Sequence, residues 1–327
     1  MMLLFLGRGN NHPATRYRIT QYLDYLKQNN IQFEVKDFPN GIFSWMALTK
    51  QHYDIVFIQK KRVQTFWLSR FKKAGAKIIY DFDDAVMFAS SRHDCPDSPA
   101  RMKQFINMVK ASDAIIAGNP YLKSQAEPYN KRIWIIPTSI DITKYALKDY
   151  TLTPPDIATI GWIGGTKSLV FLKELMPIME KLSERCKFQL KIVSNGFIKS
   201  DKVKIIEKPW KEADETSDTL SFDIGLAPLP DDPWSRGKCA TKLLQYMASG
   251  IPAVASPVGV HTEIIKEGVN GFLAKDSNEW QEKLQMLADN FNLRKALGIT
   301  ARKTVEENYS IQVNAPKLIN IFNNIIL

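Results

Sequence analysis

Asp81, Asp83 and Asp84 crowd into four residues at the end of an apolar run. Carboxylates this close raise the pKa of at least one of them, and such a group can position or deprotonate a hydroxyl. The run also reads as Asp81 capping a turn while the others are solvated, and its Asp-x-Asp spacing invites a divalent cation. A second cluster, Gly164-Gly165-Thr166-Lys167, follows another apolar run. Paired glycines let the backbone approach a phosphate, and a lysine neutralises it; a tight turn has the same appearance. A third cluster lies within residues 236–274, which read as helix, strand, helix, strand. Leu243, Leu244, Met247 and Ala248 form one apolar face there, while Lys242, Gln245 and Ser249 fall on another. Thr241 has the chemistry of an N-cap and Gly250 that of a C-terminal stop. A helix N-terminus carries about half a positive charge and unpaired N–H groups. With Lys238 and Lys242 beside it, the segment attracts a phosphate or diphosphate. Read blandly, it is an ordinary α/β repeat with surface lysines.

Other candidates are single residues. Residues 7–13 form a glycine loop carrying Arg8, Asn10, Asn11 and His12, and Arg16 and Arg18 open the next helix. Such arginines suit bidentate capture of a phosphate or carboxylate on an acceptor. His12 is a candidate general base, as is His93, although a lone loop histidine is often incidental. His52 and His261 read as structural. Trp210, after a predicted strand, is placed to stack on a nucleotide base. Cys95, Cys186 and Cys239 are odd in number and widely spaced, which suggests neither a disulfide framework nor a zinc site. Cys239 reads as a small packed residue.

The elements that must position these residues alternate. Apolar runs at 3–6, 31–35, 54–58, 77–80, 113–117 and 132–136 read as strands, and 15–29 as a helix. This is the βαβ pattern of a parallel sheet covered on both faces. Residues 141–155 lose their periodicity, so the expected domains are 1–148 and 149–327. Strands at 157–163, 188–193, 203–206 and 223–226 rebuild the pattern, with helices at 168–185 and 212–220 and in the tail. The candidate loops all follow strands, where ligands bind in such sheets.

Composition narrows the class. The chain of 327 residues is 45% hydrophobic and suits about two domains. Its opening apolar run is too short for a signal peptide, no stretch approaches a membrane span, and a reducing cytoplasm fits the cysteines. Residues 1–148 hold 22 Lys and Arg against 12 Asp and Glu, while 149–327 hold 22 of each. An excess of cations in one half implies an anionic partner such as a membrane surface, although it also serves solubility alone. The basic, aromatic stretch 60–73 would put Val63, Phe66, Trp67 and Arg70 on one side of a helix. That helix packs on a sheet or docks on anionic headgroups. No nucleic-acid recognition module is present.

The run KLLQYMASGIPAVASPVG followed by E-I-I-x-x-G-x-N-G-F-L-A resembles the donor-binding signature of GT-B glycosyltransferases of the retaining family 4, or group 1, type. TIGWIGG, FDIGLAPLPDDPW, YDFDDAV, AGNPYL and IIPTSID match as well. The resemblance implies two Rossmann-like doubly wound parallel-sheet domains facing across a cleft. The C-terminal one would bind a nucleotide-diphosphate sugar, the N-terminal one an acceptor hydroxyl, and helix 310–326 would cross back to the first domain. It implies transfer with retention and without metal or other cofactor, on a glycan or lipid-linked acceptor in bacterial surface polysaccharide or glycolipid assembly. It places Gln245 at the ribose, adds Glu263 to the donor set, and sets Asp83 and Asp84 near the sugar and acceptor. Two departures stand out: Trp162 occupies the place of a phosphate-binding Arg, and Gly237 that of a glutamate. Gly237 supports, as a rival, a non-catalytic nucleotide-sugar-binding subunit; a GT-B sugar-nucleotide epimerase is another.

Overall fold

The protein is described by a computed structural model over residues 1–9, 12–90, 97–152 and 156–326. In chain order it runs β1 (Met2–Gly7), α1 (Pro13–Arg18), α2 (Leu23–Gln28), β2 (Gln32–Asp37), α3 (Ile42–Leu48), β3 (Ile55–Gln59) and α4 (Thr65–Lys73). Next come β4 (Lys77–Phe82), α5 (Pro99–Ala111), β5 (Ala114–Ala117), α6 (Pro120–Ala126) and β6 (Ile133–Ile135). The second half holds β7 (Ala158–Ile163), α7 (Leu169–Ser183), β8 (Phe188–Val193), β9 (Ile205–Lys208), α8 (Glu215–Leu220), β10 (Ile224–Ala227) and α9 (Pro233–Arg236). It continues with α10 (Thr241–Ala248), β11 (Ala253–Ala255), α11 (His261–Ile264), β12 (Phe272–Leu273), α12 (Ser277–Asp289), α13 (Phe291–Thr304) and α14 (Ile311–Ile326). Among the described residues no helix is long and apolar enough to cross a membrane.

The chain forms two compact units. One comprises Met1–Ser139, Asp232–Cys239 and Ile311–Leu327; the other comprises Ile140–Asp231 and Ala240–Ser310. Their bounds differ from the sequence expectation of 1–148 and 149–327 in that residues 140–148 group with the second unit and a segment around α9 with the first; the final helix also groups with the first unit.

In the first unit six parallel strands stand in the order β2-β1-β3-β4-β5-β6. Leu3 pairs with Ile55 across β1 and β3, and Ile55 with Lys77 across β3 and β4. These central strands are buried on both faces, which is why they read as unbroken apolar runs. One face packs on Trp67, Leu68 and Phe71 of α4 and on α5. The other packs on α14, whose Phe322 ring meets Phe5 and Phe57 at 6.2 Å each. Residues 15–29 do not form the single expected helix. Ile19 leaves helical geometry (φ −130°, ψ −65°) and separates α1 from a short turn and α2. The expected helix over 60–73 starts only at Thr65, after an extended Gln64 (φ −62°, ψ 136°), and Lys60 adopts the left-handed conformation (φ 55°) after β3.

The second unit repeats the plan with the order β12-β11-β10-β7-β8-β9, also parallel. Leu172, Leu175, Met176 and Met179 of α7 fill its core against Ile160, Leu190 and Ile192. The strand order reverses between β7 and β10, and in open parallel sheets ligands bind beyond the carboxyl ends of the strands at such a point.

Candidate functional site

In the second unit α10 is fixed at that reversal point. The Tyr246 hydroxyl accepts from the Ile163 N–H at 3.1 Å and donates to the Leu226 carbonyl at 3.2 Å, bolting the helix to β7 and β10. Gly250 ends the helix at φ 72°, with Ile251 N bonded to Tyr246 O and Gly250 N to Met247 O at 2.9 Å each. That is the double-bonded glycine stop expected for such a residue. The other end corrects the sequence reading: Thr241 is the first helical residue and not the cap, Ala240 holds that place at φ 55°, and no side chain caps the helix.

Lys242, in the first turn of α10, lies over the Trp162 ring at 4.4 Å. Trp162 is fully buried, and among the described residues its indole Nε1 finds no hydrogen-bond partner. Thus the tryptophan in the place of an arginine seats a lysine. A Cβ on Gly164 would meet the Trp162 ring at 2.7 Å and Lys242 Nζ at 3.1 Å. The glycine therefore keeps the loop after β7 open beside an ammonium group. Gly165, Thr166 and Lys167 continue that loop as an exposed turn. Gln245 is buried, and its amide donates to the Tyr145 hydroxyl at 3.4 Å. Trp210 is half-buried, with Nε1 donating to Glu215 at 3.3 Å. Glu263 is exposed on α11, and partial burial raises its carboxyl.

His261 closes the loop after β11. It is 2% exposed, and Nδ1 lies 3.0 Å from the Ser256 carbonyl. Burial pushes its pKa down to about 4, a Ser256 hydrogen bond opposes that, and Lys242 lowers it further. A histidine kept neutral in the fold adds nothing to the pH dependence above its unfolded value of ~6.5, where both states are neutral. As pH falls from there to about 4, the unfolded chain binds a proton that the native state does not, and stability is lost. The loss amounts to roughly 3 kcal/mol. Urea unfolding at pH 7 and pH 5 is expected to show this slope in the wild type and a flatter one in His261→Gln. Equal slopes would rule it out.

The first unit gathers a different set. After β3 and β4, Lys60 Nζ lies 2.7 Å from both Asp83 Oδ1 and Asp84 Oδ2, and Lys238 Nζ lies 3.0 Å from Asp84 Oδ1. Lys238 also covers the Trp234 ring at 3.6 Å. Burial alone would raise Asp84, but Lys238 and Lys60 outweigh it and hold the carboxyl below the usual range. The raised carboxyl expected in the cluster is Asp81, lifted chiefly by burial against the opposing Arg18, and not Asp84. A carboxylate so firmly ionised is a weak base, so Asp84 fits fixing charge and orientation better than taking up a proton. Lys238 belongs with these carboxylates in the first unit, and Lys242 with Trp162 in the second.

Close packing explains the departures from the resemblance. A Cβ on Gly237 would meet Ala85 Cβ at 2.6 Å and its backbone N at 2.8 Å, so no carboxylate-bearing side chain fits there. A Cβ on Gly118 would strike Cys239 Sγ at 2.5 Å. Cys239 is 7% exposed, and burial pushes its thiol up, which suits a packing residue.

Three expectations in the first unit need correction. Arg18 is not an acceptor-binding arm: it is 3% exposed, pairs through Nε and Nη2 with Asp81, and donates from Nη1 to the Ile136 carbonyl at 2.7 Å. Asp81 accordingly caps no turn. His12 is the N-cap of α1, and its Nδ1 accepts from Ala14 N at 3.2 Å. The neutral ring then carries its proton on Nε2 and donates there, which does not suit a general base. Burial, with Arg8 and Lys60, lowers its pKa. Arg8 is exposed, and Arg16 is half-buried with its guanidinium 4.7 Å over the Tyr17 ring. Asn10, Asn11 and His93 lie outside the described residues.

The sequence reading did not count Lys60, Trp234, Trp162 or Tyr145 among the site residues. Lys60 stood inside a run of cations with no sign that it turns back on β4; its left-handed backbone is what does so.

Residues 154–290 match the family model described as glycosyl transferases group 1. An uncharacterized glycosyltransferase of Methanocaldococcus jannaschii is 33% identical over 92 residues, 28% of this chain and 24% of the relative, so the chain spans about a quarter of that relative's length. Among solved structures, sucrose-phosphate synthase from Thermosynechococcus elongatus superposes with a TM-score of 0.79 at 12% identity, covering 99% of this chain and 98% of that one. HepE of Anabaena in complex with UDP and glucose superposes with a TM-score of 0.70 at 14% identity, covering 99% and 100%. The chain thus has the two-domain α/β fold of the GT-B type, and residues 154–290 of it match a group 1 glycosyltransferase domain.

Proposed function

We propose that the protein is a glycosyltransferase that moves a hexosyl group from a nucleotide-diphosphate sugar to an acceptor hydroxyl, with retention and without a metal ion. The observation that carries this reading is Lys242, held over Trp162 beside the open Gly164 turn within the stretch that matches the family model. There an ammonium group stabilises charge that builds on a leaving diphosphate. Gly164, Gly165, Thr166 and Lys167 line the same loop, and Gln245, Trp210 and Glu263 complete the donor set. Asp83 and Asp84 orient the acceptor, a glycan or lipid-linked alcohol of surface polysaccharide or glycolipid assembly in the cytoplasm. Likeness to HepE, solved with UDP and glucose, makes a uridine nucleotide the first donor to try.

Thermal unfolding with UDP, GDP and TDP sugars tests the reading. At 100 times Kd a bound donor adds about 2.7 kcal/mol by mass action and raises Tm by several degrees. Transfer to a panel of glycan and lipid-linked acceptors completes the test. No shift with any nucleotide sugar would overturn the assignment. A shift without transfer would favour a non-catalytic donor-binding subunit, the reading that Gly237, with no room for a carboxylate, supports.

A further inference from the structure

Helix α3, with the sequence IFSWMAL, has one polar residue in seven, Ser44. A helix apolar all round is ordinarily enclosed on every side. Only one side of this one is. Trp45 and Leu48 are buried, and Trp45 stacks on Trp67 of α4 at 5.6 Å with rings 15° apart. Ile42, Phe43 and Met46 face outward on the opposite side at 58%, 83% and 38% exposure. On the neighbouring helix Phe66 is 58% exposed. Two helices are thus locked together by aromatic stacking on their inner sides while both leave large apolar side chains in water.

The charge around them is one-sided. Residues 38–80 contain eight Lys or Arg and a single acid, Asp54. Lys50, Lys61 and Lys73 are exposed. Lys61 lies over the Phe38 ring at 4.7 Å, and Arg70 donates to the Thr49 hydroxyl at 3.0 Å just past α3. Exposed apolar side chains on a segment rich in exposed cations match a surface that is apolar below and anionic above. A second copy of the chain would set this cationic segment against its own like, which is repulsive.

We infer that α3 and the start of α4 form a docking surface for an anionic lipid bilayer, with Phe43 and Ile42 entering the headgroup boundary. This relocates the apolar contact expected of residues 60–73: Trp67 is core, and the outward side chains are those of α3 together with Phe66. The surface uses no residue of the donor loop, so its test does not depend on the enzymatic reading.

Co-sedimentation with phosphatidylcholine vesicles, and with vesicles that are about a third phosphatidylglycerol, tests it. The protein is expected to bind the anionic vesicles, to release as salt rises, and to bind neutral ones far less. The double variant Ile42→Ser/Phe43→Ser keeps every charge and is expected to lose about tenfold or more in vesicle affinity. Lys50→Glu/Lys73→Glu keeps the apolar face and is expected to lose a similar factor. Because all four side chains are exposed, both variants are expected to unfold at the wild-type temperature, which separates lost docking from lost fold. Absence of binding to anionic vesicles, or binding indifferent to Ile42→Ser/Phe43→Ser, would overturn the inference. So would a dimer in sedimentation equilibrium that those serines dissolve, which would make the occupant a second copy.

Discussion

Arg18→Ala is expected to lower the unfolding free energy by about 3–5 kcal/mol, the largest stability effect of any single replacement considered for this chain. Arg18 and Asp81 are 3% and 0% exposed, so solvent screens neither. The guanidinium joins three elements at once: it sits at the end of α1, grips Asp81 in β4 with two nitrogens, and donates to the Ile136 and Pro137 carbonyls beyond β6. Burial alone would lower the pKa of Arg18, but the Asp81 carboxylate outweighs it and raises it. Removing the arginine strands a carboxylate in an apolar core and orphans two carbonyls. Burial already raises the Asp81 carboxyl in the wild type against the opposing Arg18, and in the variant it must rise further above its unfolded value. Its protonated form is then favoured in the fold, so the deficit is expected to shrink as pH falls towards that value and to be full at neutral pH. Arg18→Met/Asp81→Leu removes both charges and is expected to recover most of the loss. Urea unfolding of the single and double variants at pH 7 and pH 5 gives the answer. A single variant within about 1 kcal/mol of wild type at pH 7 would show that the pair holds nothing together.

What was legible in the sequence follows from how local each cause is. The strands stood out because a parallel strand buried on both faces must be apolar throughout, as in LLFL of β1 and IVFI of β3. Gly250 was readable as a helix stop because a left-handed residue after a helix is a local demand. The break at Ile19 was not, since it accompanies an arginine whose partner lies 63 residues on. Which carboxyl of the cluster is raised and which is held ionised was not legible for the same reason: burial lifts Asp81, while Asp84 stays ionised. Its neighbours in sequence are carboxylates, but its neighbours in space are Lys60 and Lys238, the latter 154 positions away. Gly237 shows the limit from the other side. Its lack of a side chain was visible as a departure, and only the contact with Ala85 gives the cause.

Lys242→Ala is expected to lower sugar transfer by about 10²–10³-fold while leaving the fold intact, the magnitude for removing one preorganised group that meets charge developing in a transition state. Lys242 has a rival role, because its ammonium lies 4.4 Å over a buried indole and a cation there contributes about 0.5–2 kcal/mol to stability. The two roles separate with Lys242→Met. The thioether keeps an apolar chain over Trp162 and removes the charge, so packing largely survives while anion stabilisation does not. If the lysine serves the diphosphate, both variants lose turnover together, and Lys242→Arg, which keeps the charge on a longer planar group, recovers part of it. If it serves only Trp162, Lys242→Met transfers sugar at the wild-type rate, and only Lys242→Ala melts lower. Single-turnover release of the nucleotide diphosphate, set against Tm for the three variants, distinguishes these patterns. A normal rate in Lys242→Met would remove the charge on which the donor assignment stands. A rate lost with KM unchanged would place its action in the transition state and not in ground-state binding.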